Sequence, residues 1–275
     1  MARDPTASRR YPEPVSDDDR PFVLRRDDGA VVTLTLNRPE SRNPLSLSML
    51  EALDAHLADV AGDRDVRVVV IAGTGPAFSA GHDLRELHGT DDAEVHRRIF
   101  TRCSTVMQRI DSLPQGVIAR VNGVATAAGC QLVATCDLAV AAASARFATP
   151  GVNIGLFCST PAVAVSRALA PKHTMELLLT GELIGADDAF RMGLVNRVVP
   201  DEDLDATTAA LADRVAAAPL SVIAAGKAAH RRQLGRSLAD AYGIATQAMI
   251  DGLDRPEAVE GIGAFLEKRP PVWPT

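Results

Sequence analysis

The chain has 275 residues, of which 47% are hydrophobic and 23% charged, with a formal net charge of −6 at pH 7. That composition belongs to a globular protein with a large core. An acidic chain with 4% aromatic residues and no basic stripe argues against nucleic acid as a partner, and no apolar run has the length of a membrane span.

Residues 1–20, "MARDPTASRRYPEPVSDDDR", are polar and rich in Pro and Asp. They read as a disordered tail, and without an apolar stretch they are not a secretory signal. "FVLRRD" from Phe22 and "AVVTLTLN" from Ala30 are the first two strands, the second alternating as a half-buried strand does. "SLSMLEALDAHLADVAGD" follows with Leu45, Met49, Leu53, His56 and Leu57 at helical spacing. "VRVVVIAG" from Val66 is a buried strand, "AEVHRRIFTRCSTVMQRI" an amphipathic helix, "GVIARVNG" and "CDLAVAAA" two more strands. Strand and helix thus alternate over residues 21–200. From 201 to 275 four helices follow with no strand between them, with Asp201 as an N-cap and Pro219 and Pro256 at helix starts. Fold class is therefore α/β with a helical C-terminal region.

The four cysteines, Cys103, Cys130, Cys136 and Cys158, form no C-x-x-C pair and have no His at zinc-ligand spacing. They are expected to be free thiols in a reducing compartment, the cytoplasm, with no metal bound.

Two stretches, "GPAFSAGHDLREL" from Gly75 and "NGVATAAGCQL" from Asn122, each follow a strand, crowd small residues into a turn and lead into polar or helical sequence. Small residues let a ligand approach backbone N–H groups, and a helix N-terminus adds unpaired donors. Two such donors aimed at one oxygen stabilise a carbonyl that gains negative charge. Tight packing of helix on sheet also needs Ala and Gly, so both readings stand at this point.

"AFSAGHDL" and "NGVATAAGCQLVATCDLAVAA" resemble the two signature loops of the crotonase, or enoyl-CoA hydratase/isomerase, superfamily. "LNRPESRNPLSLSML", "MELLLTGELIGADDAFRMGLVNRVVP" and "AFLEKR" resemble its other signatures, in order, over residues 22 to 270. The resemblance implies a core of ββα spiral turns at 21–200, a trimerisation region at 201–275, a homotrimer or dimer of trimers, and acyl-CoA thioesters as ligands. No cofactor is implied beyond the coenzyme A of the substrate. It also implies that the backbone N–H groups of His82 and Ala128 are the oxyanion donors. CoA contacts are implied for Ala80, His82, Asp83 and Leu84 of the first loop, for Arg42, and for Phe265 and Lys268, whose three-residue spacing puts them on one helix face. Arg42 reads equally as a solvated surface residue, and Asp83 as a brace for its loop, with Glu86 beside it. The His82 side chain is either a donor near the thioester or a bulky lining residue.

A hydratase of this family moves protons with two Glu residues. Here the corresponding positions are Gln131 and Gly151. Gln takes up no proton near neutral pH and Gly has no side chain; the nearby Asn153 is neutral too. Gln131 keeps a hydrogen-bonding shape without the acid/base function. Some superfamily members carry a reactive carboxylate slightly further on, where this chain has Cys158 beside Ser159 and Thr160. Cys158 is thus either a nucleophile at a helix N-terminus or a small buried apolar residue. The expectation is weak or altered hydratase activity. The alternatives are a non-catalytic acyl-CoA-binding trimer and a thioester hydrolase using Cys158. His56, His96, His173 and His230 fall on predicted helices, as surface or interface groups.

Overall fold

The structure, a computed structural model, describes residues 20–274. The tail expected at residues 1–20 therefore lies, apart from Arg20, outside the described residues. Among the described residues ten strands form two sheets. The larger sheet comprises β1 (Val23–Asp28), β2 (Val31–Leu36), β3 (Val68–Gly73), β5 (Gly116–Val121), β7 (Leu138–Ala142) and β10 (Arg197–Val199), in that spatial order. All its neighbours are parallel except β1 and β2. The smaller sheet holds β4 (Ala77–Ser79), β6 (Val124–Thr126), β8 (Arg146–Ala148) and β9 (Ile184–Gly185).

The long strands β3, β5 and β7 are each followed within a few residues by a short one in the other sheet, then by helix. Thus β3 and β4 lead to α2 (Leu84–His88) and α3 (Ala93–Ser112), β5 and β6 to α4 (Ala128–Thr135), and β7 and β8 to α5 (Ser159–Ala168) and α6 (Pro171–Thr180). These are the turns of a ββα spiral. Strand β9 then runs into α7 (Ala186–Met192) and back to β10.

The sequence pattern explains the layers. In β2, Val32, Leu34 and Leu36 are fully buried while the alternate residues are only half-buried. They pack with Met49, Leu53 and Leu57 of α1 (Leu47–Gly62) and with Cys103, Val106 and Ile110 of α3. Strand β3 is covered on both faces, as its unbroken apolar run requires. On its other side Val68 and Val70 join Ile118, Val140 and residues Leu204, Leu211 and Ala212 of α8 (Leu204–Ala216). Arg102 and Arg109 of α3 both bind Asp54, a buried acid of α1, and tie the two helices together.

The corners between long and short strands set how closely successive turns stack. At Gly123, between β5 and β6, a Cβ would overlap the carbonyl oxygen of Pro76 from the preceding turn. Only a residue without a side chain fits there.

The last three helices are α9 (Leu220–Gln233), α10 (Leu238–Leu253) and α11 (Pro256–Leu266). Pro219 is the N-cap of α9 and Pro256 opens α11, as expected. Asp201 is not an N-cap: it starts a 3₁₀ turn, Asp203 precedes α8, and the Asp201 carboxylate accepts the Ser144 N–H and hydroxyl instead. Helices α9 and α10 bury no residue completely, and α11 buries only Ala264. Lys227 joins α9 to the core through Asp137 and the Gln115 carbonyl, and Trp273 donates to the Ala217 carbonyl. Leu238, Tyr242, Met249, Val259 and Phe265 stay exposed.

Gly123→Ala is expected to lower stability by about 2 kcal/mol or more, since overpacking against backbone has no side chain to yield. Urea unfolding is the measurement; a loss under about 0.5 kcal/mol would mean that the corner relaxes freely.

Candidate active site

The first loop follows β4 and is held from two sides. Its neighbour on one side is the "SRNPLS" turn. Asn43 is fully buried there, accepting the Arg38 N–H (2.7 Å) and donating to the carbonyls of Thr74 and Ala77 (2.9 Å each). That side chain fastens the turn to the β3–β4 corner. Ser79 then donates to the Asn43 carbonyl, Ala80 N–H to the Arg42 carbonyl, and Leu45 N–H to the Gly81 carbonyl. On the other side Thr126 donates to the Ala80 carbonyl, and the Gly81 N–H reaches Ser79 Oγ. Every backbone polar group of Ala80 and Gly81 is therefore engaged. Asp83 caps α2 by accepting the Arg85 N–H (2.8 Å), which matches the bracing role read for it, and Glu86 accepts the Leu47 N–H.

The second loop enters α4 through Ala127, at φ 51° and ψ −116°, a conformation that favours glycine. Ala127 N–H binds the Ala148 carbonyl and its own carbonyl takes the Gln131 N–H. Ala128 is the first helical residue, so its N–H has no carbonyl within the helix. Among the described residues neither the His82 N–H nor the Ala128 N–H has an acceptor. The two loops touch: a Cβ on Gly81 would stand 2.9 Å from the Ala127 Cβ and 3.1 Å from the Ala128 nitrogen.

Two cavities meet here. One, of about 440 Å³, is almost wholly apolar, lined by Ala80, His82, Leu84, Leu87, Phe100, Ala127, Ala128, Gly151, Ile154, Leu156, Phe157, Cys158 and Pro161 among others. The other, of about 340 Å³, is edged by charged side chains. It shares Ala80, His82 and Leu84 with the first and adds Arg42, Asp83, Arg85 and Glu40. An apolar chamber joined to a charged groove, with two unpaired N–H donors on the shared loops, suits a ligand with an apolar tail, a carbonyl and a charged head.

The two positions read as lost carboxylates behave differently. Gln131 lies on the first turn of α4, 4% exposed, with its Oε1 unpartnered, and it does not line the apolar cavity. It is a buried amide behind the wall rather than a hydrogen-bonding group in the chamber. Gly151 does line the cavity, but its missing side chain is not spare room. The Leu156 N–H binds its carbonyl, and a Cβ would overlap the Leu156 carbonyl oxygen and stand 2.8 Å from Cys158 Sγ. The 150–158 segment has closed over the position.

Cys158 is the N-cap of α5, as the helix-start reading requires. Its Sγ accepts the Gly151 N–H at 3.3 Å. Burial pushes the thiol up from its ordinary value, and the Gly151 N–H offsets only part of that. The thiolate that a nucleophile needs is thus disfavoured at neutral pH. Cys103 and Cys130 are pushed up to about 12 by burial, and all four cysteines are free.

Phe265 and Lys268 line neither cavity, and they do not share a helix face: α11 ends at Leu266. Lys268 follows at φ 58°, where Arg269 N–H reaches back to the Ala264 carbonyl and Lys268 N–H to that of Phe265. This is a Schellman ending with Lys in the left-handed position, and it turns the side chain away from the helical register. His56, His96, His173 and His230 all lie on helices; His96 Nε2 bonds the Leu87 carbonyl.

Sequence reading passed over Asn43, Phe100, Leu156 and Phe157. Phe100 lies beside the buried stripe Ile99–Cys103–Val106–Ile110 and stacks edge-on against His82, with ring centroids 5.1 Å apart. An aromatic off the core stripe of a charged helix was the available signal.

Ala127→Gly relieves a conformation costing on the order of 1–3 kcal/mol and adds about 0.5–1 kcal/mol of chain entropy. A net gain of about 1 kcal/mol in unfolding free energy is expected. A loss of that size would show that the Ala127 methyl, packed on Gly81, matters more than the strain.

The enoyl-CoA hydratase/isomerase family model matches residues 26–275. The chain is 48% identical to rat enoyl-CoA hydratase domain-containing protein 3, mitochondrial, over 90% of its own length and 83% of the relative's. It is 38% identical to a putative enoyl-CoA hydratase of Thermus thermophilus, over 90% of this chain and 99% of that one. The crystal structure of an enoyl-CoA hydratase of Mycobacterium smegmatis superposes with a TM-score of 0.90 at 50% identity, covering 93% of this chain and 100% of that chain. That of human enoyl-CoA hydratase domain-containing protein 3 also gives 0.90, at 46% identity, covering 92% and 100%. With the ββα spiral, the two loops and the joined cavities already in view, these matches establish that the chain belongs to the enoyl-CoA hydratase/isomerase family.

Proposed function

We propose that the protein binds acyl-CoA thioesters, the carbonyl oxygen on the N–H groups of His82 and Ala128, the acyl chain in the apolar cavity and the CoA head toward Arg42 and Arg85. One observation carries this reading: two unpaired amides lie on the loops where an apolar chamber meets a groove edged by charged side chains. No cofactor is required beyond the CoA of the ligand. The four free thiols support a reducing compartment, which we take to be the cytoplasm.

Calorimetry with acetyl-CoA and longer acyl-CoAs tests the reading. Affinity is expected to rise with chain length, by about 0.8 kcal/mol of binding free energy per buried methylene while the cavity fills. No heat and no competition at millimolar ligand would sink it.

Hydration of crotonyl-CoA is expected to be slow. Each general acid or base contributes roughly 10²–10⁴ in rate, so a fall of at least ~10³ below an ordinary hydratase follows when both carboxylates are gone. Joint Gln131→Glu and Gly151→Glu substitution is expected not to restore hydration, because the 150–158 segment occupies the space of a side chain at 151. Loss of enoyl-thioester absorbance is the readout, and a normal family rate in the unmodified protein would contradict the role given to Gln131 and Gly151. Thioester hydrolysis through Cys158 has little support, since its thiol is raised and engaged by Gly151.

The assembly we propose is a homotrimer or dimer of trimers, supported by the apolar side chains that α10 and α11 leave exposed. Light scattering at micromolar concentration is expected to give a trimer or hexamer mass; a monomer would refute this.

A further inference from the structure

The charged groove carries two cations that the fold leaves without a counter-ion. Arg42 and Arg85 both line it, and both are exposed. Among the described residues neither guanidinium has a hydrogen bond or an ion pair. The two acids of the groove are engaged elsewhere. Glu40 pairs with Arg20 at 3.1 Å, and Asp83 accepts the Arg85 backbone N–H at 2.8 Å. A guanidinium presents a planar fork of donors that suits carboxylate and phosphate alike. The groove is thus open to an anion that its own acids do not supply.

The chain enters the fold beside this groove. Arg38 lies over the Phe22 ring, 3.8 Å from its centroid, and donates to the carbonyls of Pro21 (3.0 Å) and Arg20 (2.7 Å). Asn37 donates to the Pro21 carbonyl as well (3.1 Å). Arg20 then reaches Glu40, which edges the groove two residues before Arg42. Immediately before Arg20 stands "PEPVSDDD", with Glu13, Asp17, Asp18 and Asp19 and no basic residue. Three residues of extended chain span roughly 10 Å, so the three Asp are tied close to the Arg20 anchor. Exposed Arg–Asp pairs are weak between separate molecules. A tether this short holds the acids at an effective concentration on the order of millimolar, which is enough for weak pairs to form.

We propose that the acidic stretch from Glu13 to Asp19 docks on the charged groove, with the Asp17, Asp18 and Asp19 carboxylates on the Arg42 and Arg85 guanidiniums, and that it competes there with the phosphates of CoA. The stretch is a brake built into the chain. It occupies the head-group end of the site and leaves the apolar chamber and the two amides untouched. The competition rests on the acyl-CoA reading above, whereas the contact itself does not. Removing the acids frees the arginines for phosphate, so CoA binds more tightly without them. The advantage fades as salt rises, because exposed charges are screened.

The test uses the full chain, unmodified and with Asp17→Asn, Asp18→Asn and Asp19→Asn together. Calorimetry with free CoA at low salt is expected to show ~3–10-fold tighter binding by the triple variant. At about 0.5 M salt the two proteins are expected to bind alike. A second measurement reads the contact without CoA. Arg42→Lys and Arg85→Lys each place an amine that carbodiimide joins to a touching carboxylate, and mass spectrometry identifies the linked peptides. Links from position 42 or 85 to Asp17, Asp18 or Asp19 are expected, and millimolar CoA is expected to suppress them. Mixing isotope-labelled with unlabelled protein separates links within one chain from links between two. Links found only between chains would give the groove to a second copy and overturn the proposal. Equal CoA affinity in the two proteins at low salt would overturn the competition, and absence of the links would overturn the contact; either leaves the acyl-CoA reading intact. Links without CoA binding by either protein would overturn the acyl-CoA reading, and the competition with it.

Discussion

The chemistry of this protein depends on hydrogen-bond accounting in a dozen residues around two loops. Buried backbone N–H and C=O groups are nearly always paired, so a free one has to be left over by construction. Ala80 and Gly81 have their polar groups taken up by the Asn43 turn on one side and Thr126 on the other. The next N–H, that of His82, is what remains. On the second loop, Ala127 spends its N–H on Ala148 and its carbonyl on Gln131, and the start of α4 leaves Ala128 over. The spiral makes this possible, because stacking β4, β6 and β8 side by side brings the ends of successive turns together.

The same closeness shapes the surroundings of positions 131 and 151, where Gln and Gly stand. Gly151 is not a Glu position awaiting its side chain: Leu156 and Cys158 have folded onto it. Gln131 has withdrawn behind the wall. What lines the chamber is mostly apolar, with Leu84, Phe100, Ile154, Leu156 and Phe157, beside the neutral polar residues His82, Asn153, Ser159 and Thr160. In such surroundings a charged acid would carry a heavy desolvation cost, whereas a neutral imidazole does not.

Strain and exposure mark the places where local sequence rules are set aside. Ala127 and Lys268 both hold positive φ without being glycine. The first sits at the mouth of α4, where its methyl packs on Gly81. The second closes α11 at the edge of an apolar face with few partners in its own chain. Local conflicts of this kind concentrate at functional sites and interfaces.

By itself the sequence determined the order of the long strands β1, β2, β3, β5 and β7 and of helices such as α1 and α3, because unbroken apolar runs such as "VVVIAG" and periodic ones such as that of α3 carry a clear signal, whereas the two- and three-residue strands of the smaller sheet are too short to carry one. It determined the two small-residue loops, the family they resemble, and the absence of acid at positions 131 and 151, since a residue's identity needs no coordinates. Tertiary structure alone decided what those positions face. The closure over Gly151 and the Gly151–Cys158 contact arise from the 150–158 segment folding back, between residues that carry no periodic signal, and Gln131 is buried on the first turn of α4. The tautomer of His82 depends on a carbonyl 37 residues earlier in the chain, and its orientation on a ring from α3. Lys268 left the helix face because the α11 ending is a matter of backbone dihedrals, to which side-chain spacing is blind.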